Sequence, residues 1–537
     1  NGGIHISGGD RRTLTPAGHV VENCSFDNYA RLMRTYNGAI HIDGVGIRAS
    51  HNLIRHAPHA GIFFGGNDHV IELNEFYEIC QETSDCGVIY AGRTWYSRGN
   101  VIRGNFIHDI RGIGGVGAFG IYLDDCFSSA EVTDNVLANM ENGAFLIGGG
   151  RDNIITNNLC YRTGPLMLDD RGLGWGARGC KPGEQLWDTL VALPYKQPPW
   201  STKYPTLPKL LDDEPAVPKG NVVERNVFVA MGAPQIAKAA RDNGSVKDNL
   251  VTPDDPGFVN LAALDLRLKP GSSVAAKLPG FKPIAVDQAG LVVDAWRKLV
   301  APARPTLVGV DKTIVGAGDL VLATRTPVAL IRYTLDGSQP TAKSTLYRGP
   351  VHVSKSLTLR ALAFGASGAA SDELMVDLTV RPIGPGQPIY LSELPAIDVA
   401  TYSGDLKRDQ SMSGAPIKLG GKELAHGLLM HPAETPEGGR AAATWLLDGG
   451  LKAAKRFLAT VGVDAGAADR GSVVFVVELY SAGVWREAWR SATLRGGGAP
   501  VAVDVPLAGA ERLRLRVTDS GDNIHSDHAA WGEARFE

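Results

Sequence analysis

Long apolar runs are missing from this 537-residue chain; no stretch approaches the roughly 18 residues of a membrane span, so insertion into a bilayer as a helix is excluded. Neither sign of charge dominates. Lys and Arg number 54 against 57 Asp and Glu, a formal net charge of −3, so neither nucleic acid nor an anionic membrane is an expected partner. Cysteine is sparse and confined. Cys24, Cys80, Cys86, Cys126, Cys160 and Cys180 are the full set, without the CxxC spacing of a zinc or redox site, and buried free thiols are expected in preference to disulfides. Helix-forming runs are scarce, whereas glycine is plentiful at 65 residues, which points to a mostly β chain. The length asks for two to four domains, or one elongated repeat domain with additions.

The repeat is visible in the first third. Seven segments share one shape: GIHISGG (3–9), AIHIDGV (39–45), GIFFGGN (61–67), VIYAGRT (88–94), GIYLDDC (120–126), AFLIGGG (144–150) and PLMLDDR (165–171). From Asp43 onward, equivalent positions follow at steps of 22, 27, 32, 24 and 21 residues. A second motif lies between them, with Asn recurring after five positions in GNVIRGN (99–105), DNIITNN (152–158) and GNVVERN (220–226). Self-similarity at this period, with β-branched strands and Gly or Asn turns, predicts a β-solenoid. Residues 1 to about 297 are expected to form a right-handed parallel β-helix. Asn at one corner suits a left-handed turn and can hydrogen-bond to the next coil.

Alternation assigns the faces. The second and fourth positions of each segment are apolar and face the core; the third and fifth face outward on one sheet. The outward columns read His5, His41, Phe63, Tyr90, Tyr122, Leu146, Met167 and Ser7, Asp43, Gly65, Gly92, Asp124, Gly148, Asp169. Asp124 therefore lies beside Tyr122, between Gly92 and Gly148, and the missing side chains predict a depression above its carboxylate. Asp125 falls in the turn column with Arg93 as stacked neighbour, whose charge would keep one aspartate ionised. His5 and His41 are expected to be solvated surface.

Asp85 stands three residues before Val88, at the corner leading to the same sheet, with Glu82 and Glu78 as alternatives. Together with Asp124 or Asp125 it would supply the two acids that glycosidic cleavage requires, one protonated and one ionised. Arg93 and Trp95 follow that strand as candidates for fixing hydroxyls and stacking on a sugar. The segment 171–219 interrupts the repeat with Trp175, Trp187, Trp200, Tyr195, Tyr204 and many prolines, and Trp175, Trp200 and Tyr204 are expected to wall the cleft. Asp169 is a reserve partner.

The ordered stretches HAPHAGIFFGGNDHVIELNEF, ETSDCGVIYAGRTWYSRGNVIRGNFIHDI, GIYLDDC, GGGRDNIITNN and PPWSTKYP resemble the bacterial β-helix proteins grouped around glycoside hydrolase family 141. The resemblance spans roughly residues 1–295. It implies an activity such as α-L-fucosidase or xylanase, with an acid pair at Asp85 and at Asp125 or Asp124.

Residues 303–381, after the linker VAPARP, contain IRYTLDGSQPTAKSTLYRGPVHVSKSLTLRALAF and resemble the chitobiase-type C-terminal β-sandwich; the alternating strands and DGS and GP turns independently suggest an immunoglobulin-like module. After a second linker at 381–388, residues 388–537 resemble an NPCBM-type carbohydrate-binding jelly-roll. Asp519, Asp522, Asp527 and His528 are dense enough to bind calcium there. Trp445, Trp485 and Trp531 are candidates for sugar stacking, with core burial favoured for the first two.

The fold expected is thus all-β: a parallel β-helix over residues 1–300, then two sandwiches. The function expected is hydrolysis of a complex glycan, requiring no cofactor; a polysaccharide lyase and a non-catalytic glycan-binding protein are the rivals. The opening NGGIHISGGD already carries a repeat, so the natural start is expected to lie upstream, and a secreted or periplasmic location is expected.

Overall fold

The computed structural model describes every residue except 1, 114–115, 141, 309–312, 382–387, 395, 403–405, 434–437 and 448. Most of the second linker predicted at 381–388 lies outside the described residues.

Three eight-stranded sheets, parallel throughout, form a β-helix. The first runs through Ile4–Gly8, Ile40–Gly44, Ile62–Phe64, Cys86–Gly92, Ala118–Asp124, Gly143–Gly148, Leu166–Asp169 and Gln235–Ile236. Its register pairs Ile4 with Ile40, Ile40 with Ile62, Ile62 with Ile89, Ile89 with Ile121, Ile121 with Phe145 and Phe145 with Leu166. Alternation leaves no other choice, because a slip of one residue would turn this apolar column outward. These side chains and the matching columns of the other two sheets, such as Ile71, Ile102, Val132 and Phe76, Ile107, Leu137, fill the core. The eighth strand, beyond the 171–219 insertion, carries no copy of the repeat motif.

Asparagines join successive coils. Asn52, Asn74, Asn105, Asn135, Asn158, Asn226 and Asn249 form a largely buried ladder in which, from Asn74 on, each side-chain oxygen accepts from the amide of the asparagine one coil below. The left-handed backbone belongs to the residue before each: His51, Leu73, Gly104, Asp134, Asn157, Arg225 and Asp248. That is a correction to the corner role expected of Asn. The ladder selects Asn for its paired donor and acceptor, and the steric cost of the turn falls on its neighbour.

The parallel pattern ends at Thr252, short of residue 297. An antiparallel pair, Phe258–Asn260 with Asp265–Leu268, follows. Residues 281–297 then run back along the coils, meeting Asn157 at Lys282, Leu73 at Gly290 and Asn23 at Val292 and Asp294.

Residues 306–308 and 313–381 form a sandwich of a three-stranded and a five-stranded sheet around Leu320, Leu322, Ile331, Leu359 and Leu378. From Ile389 a second sandwich is built on two larger, antiparallel sheets around Trp445, Phe457, Phe475 and Trp531. Burial of Trp531 removes it as a sugar platform, and Trp445 is core as expected. Trp485 is instead half-buried on an outer face, with the Arg514 guanidinium 4.1 Å from its ring centre.

Candidate active site

Strand Ala118–Asp124 ends in a sharp turn, with Asp125 (φ 37°) and Cys126 (φ 63°) in succession on left-handed backbone. An aspartate suits the first place, since short polar side chains tolerate this region. The Asp124 carboxylate accepts the Asp125 amide at 2.8 Å and holds the turn. One coil away, strand Cys86–Gly92 ends on Arg93, also left-handed, whose amide donates to the Asp124 carbonyl. Backbone distortion thus gathers where the charges gather.

Arg171 is at the centre of the site. Its Nη1 donates to Asp124 Oδ1 at 2.5 Å and to Asp125 Oδ1 at 3.1 Å, while Nε and Nη2 grip Asp169 through both carboxylate oxygens. Arg93 Nε donates to Asp125 Oδ2 at 2.7 Å, as the stacked column predicted. The side chain of Arg171 is only 11% exposed. Its guanidinium covers Gly148, where an added Cβ would sit 2.7 Å from it. The depression expected above Asp124 is therefore filled by Arg171, because three neighbouring carboxylates need a cation.

Three carboxylates and two guanidinia do not balance, and the remaining negative charge falls unequally. Burial pushes the Asp124 carboxyl up, and the charge of Asp125 adds to this, against hydrogen bonds from Tyr90 and the Arg171 charge. Burial also pushes Asp125 up, but Arg93 and Arg171 overcome it and hold that carboxyl below its ordinary value. Two adjacent aspartates are thereby driven apart.

Two tyrosines extend the cluster. Tyr90 Oη donates to Asp124 Oδ2 at 2.8 Å, and Tyr122 Oη donates to Asp85 Oδ1 at 3.0 Å. Their rings meet edge to face at 5.2 Å. Tyr122 thus links Asp85 to the Asp124 strand. Asp85 is exposed, whereas Asp124 is 7% exposed. The alternatives are engaged by other partners: Glu82 is paired with Arg34, and Glu78 with His56 at 3.4 Å.

The insertion contributes one ring to this surface. Trp175 is 63% exposed, and the Arg171 guanidinium lies 5.4 Å from its ring centre. Trp95, Trp200 and Tyr204 do not wall a cleft. They are buried with Leu186, Leu190, Leu207 and Leu210 in a core that the insertion shares with Leu14 and Cys126 of the coils, and the Trp200 indole donates to the Arg11 carbonyl. A long proline-rich segment stays ordered only by burying its apolar rings, which takes them out of reach of a ligand. All six cysteines are free thiols.

Arg171 is the residue that pattern reading missed. The signal is present, since it directly follows the second LDD, in PLMLDDR, at the point where the repeat gives way to the insertion.

In the second sandwich, Asp519 and Asp527 accept backbone amides, Asp522 accepts the Ser472 hydroxyl, and the His528 ring faces His431. Among the described residues no group of three or more His, Cys, Asp or Glu converges as a metal site would require.

Comparison with known proteins gives three family matches: a right-handed β-helix region over residues 1–160, a chitobiase/β-hexosaminidase C-terminal domain over 311–374, and an NPCBM/NEW2 domain over 387–537. A protein of Renibacterium salmoninarum named "Putative endo-alpha-N-acetylgalactosaminidase" is 28% identical over 180 residues, which make up 32% of this chain and 11% of that one. The chain thus spans about a tenth of that relative. Among solved structures, CBM51 from Clostridium perfringens GH95 in complex with methyl-galactose is 30% identical over 28% of this chain and 100% of its own, with a TM-score of 0.25. Tandem CBM51 modules of a family 98 glycoside hydrolase from Streptococcus pneumoniae are 17% identical over 39% of this chain and 71% of theirs, with a TM-score of 0.23.

Proposed function

We propose that this protein is a glycoside hydrolase whose β-helix cleaves glycosidic bonds of a complex glycan with two carboxylates, Asp124 as general acid and Asp85 as its ionised partner. The carrying observation is the opposite displacement of Asp124 and Asp125 on a face that also holds exposed Asp85. Of the two, the carboxyl raised by burial is the better suited to carry a proton to the leaving oxygen. Asp125, gripped by Arg93 and Arg171, stays charged and raises the neighbouring Asp124 carboxyl further. Asp85 either attacks the anomeric carbon or takes a proton from water, with the Tyr122 hydroxyl steadying its charge. Carboxyl separation decides between the two courses, retention at about 5 Å and inversion at about 6.5–9.5 Å.

Support also comes from the family matches, one named for glycosidases, and from the glycosidase name of the Renibacterium relative. The lyase alternative needs a base on this face. Burial drives the Tyr90 and Tyr122 phenols strongly upward and Arg93 is held by Asp125, which weighs against each of the three as that base. An enzyme of this kind meets its glycan outside the cytoplasm, which fits a secreted or periplasmic location.

The test is release of reducing sugar from nitrophenyl fucosides, xylosides and N-acetylgalactosaminides and from plant, algal and mucin glycans. Asp124→Asn and Asp85→Asn should each cost about 100-fold or more in turnover while the fold persists. An unsaturated, ultraviolet-absorbing product would identify a lyase, and full activity in both variants would remove the hydrolase assignment from this site.

A further inference from the structure

Each of the two turns that carry the carboxylates of the site has a cysteine directly after an aspartate, Cys86 after Asp85 and Cys126 after Asp125. Each of these thiols has a second thiol in hydrogen-bonding contact with it, Cys80 for Cys86 and Cys180 for Cys126. The first pair lies in the core of the coils and the second in the core under the insertion, with all four side chains buried. The backbone fixes their places. Cys80 (φ 59°) and Cys126 (φ 63°) are both left-handed, which is uncommon for a residue with a side chain, and the Cys126 amide donates to the Gly148 carbonyl at 2.6 Å. The Cys86 thiol donates to the Thr83 carbonyl at 3.7 Å, inside the segment that joins the first pair. Cys180 ends the 3₁₀ helix Trp175–Cys180 and donates to the Gly176 carbonyl at 3.8 Å. The other two cysteines stand alone: Cys24 donates to the Glu22 carbonyl at 3.3 Å, and Cys160 is raised by burial only.

Two thiols in contact on fixed backbone are what a disulfide requires, and the contact also divides each pair chemically. A hydrogen bond from the partner holds Cys180 and Cys86 below the ordinary thiol value, against burial. Cys126 is pushed up by its partner and by burial, and Cys80 by burial and then by its partner. One sulfur of each pair is thereby the readier nucleophile.

We propose that Cys126 with Cys180 and Cys80 with Cys86 are two redox-active pairs that become disulfides when the chain folds in an oxidising compartment, clamping the turns of both carboxylates, while Cys24 and Cys160 stay free. The oxidant is a low-molecular-weight disulfide. The Cys180 thiolate attacks it, forming a mixed disulfide and expelling one small thiolate; Cys126, giving its proton to solvent, then attacks the Cys180 sulfur and expels the second. Two protein thiols and one small disulfide become one protein disulfide and two small thiols, so the protein loses two electrons and two protons. Cys86 and Cys80 follow the same course. The 126–180 bond closes a loop that contains Asp169 and Arg171 and ties the start of the insertion to the turn of Asp125; the 80–86 bond closes a small ring that contains Asp85. The proposal rests on the placement of the thiols and not on the hydrolase reading.

The test is to refold the full chain in a buffer of oxidised and reduced glutathione, block free thiols with iodoacetamide in denaturant, and map the peptides by mass spectrometry without reduction. Of the six cysteines, the four in pairs should be found bridged as 80–86 and 126–180, leaving Cys24 and Cys160 alkylated. Cys180→Ala should add Cys126 to the alkylated set and keep the 80–86 bridge; the wild-type map decides the matter even if that variant does not fold. Dithiothreitol should return all six thiols and lower the melting midpoint by about 5 °C, as loss of the longer closed loop would. Alkylation of four or six cysteines in the refolded wild type, a bridge to Cys24 or Cys160, or a midpoint indifferent to reduction would overturn the proposal. No substrate enters these readings, so failure of the hydrolase assignment would leave the bridges standing, and absence of the bridges would leave the hydrolase untouched.

Discussion

Replacing Arg171 by Met removes the one cation shared by three aspartates while keeping an unbranched chain of similar reach. In the wild type this guanidinium makes contacts at 2.5 Å to Asp124, 3.1 Å to Asp125 and 2.7 Å to Asp169. Breaking a buried ion pair by deleting one partner costs about 3–5 kcal/mol. Asp169 is 35% exposed in its side chain and can turn to water, so the lower end, about 3 kcal/mol, is expected. The assay is amide hydrogen exchange of the peptide 118–126. At tenfold per 1.4 kcal/mol, its exchange should quicken by about 100-fold. Arg171→Lys should fall between, because an ammonium is a point charge that cannot fork to several carboxylates. The pH dependence follows from Asp124. Its carboxyl is raised in the folded chain, so the stability this group contributes falls as pH rises from the ordinary carboxylate range through the raised value. Loss of Arg171 drives it further up, so the deficit of the variant should widen with rising pH. Exchange within threefold of wild type at pH 7 would refute the view that Arg171 organises this site.

Glu72 is buried between Arg48 and Arg103, whose hydrogen bonds overcome the effect of burial and hold its carboxyl below the ordinary value. Its contribution is complete above the unfolded value and lost as pH falls through the lowered one, so acid unfolding should begin less steeply in Glu72→Gln; identical acid curves would count against the pairing. Asn105→Ala strips partners from the Asn74 amide and the Ile71 carbonyl in the buried ladder, and should cost about 3 kcal/mol in urea unfolding, whereas an unchanged midpoint would show the ladder to be dispensable. Removing residues 388–537 should leave hydrolysis of a small soluble glycoside within about twofold and weaken action on an insoluble glycan about tenfold, since tethering raises local concentration without touching the chemistry. Equal losses on both substrates would assign that region a part in the site.

The coil register was legible in the chain because strand alternation has a period of two and the core admits one polarity, so stacking Ile4 to Leu166 followed from their order alone. The contact of Arg93 with Asp125 was equally legible, being one step along the same stack. The contacts from Tyr122 to Asp85 and from Arg171 to Asp124 were not. Both depend on where long side chains turn after leaving the sheet, and a residue 47 positions away can reach a carboxylate only once the insertion's path is known.

The fate of the aromatic residues divides along the same line. Periodicity by itself determined that Tyr90 and Tyr122 point away from the solenoid core, since they belong to the repeat, although Tyr122 ends only 3% exposed, packed with Phe119 and Leu146. Only tertiary structure decided that Trp95, Trp200 and Tyr204 are buried while Trp175 and Tyr36 are exposed, because those residues lie outside it, where burial is set by which surface the folded segment covers. The chain alone likewise determined that two aspartates share a turn; their division into a raised and a lowered carboxyl required two guanidinia from different coils to be brought within hydrogen-bonding distance. Sequence spacing specifies what repeats, while electrostatics at a few ångströms depends on side chains that do not.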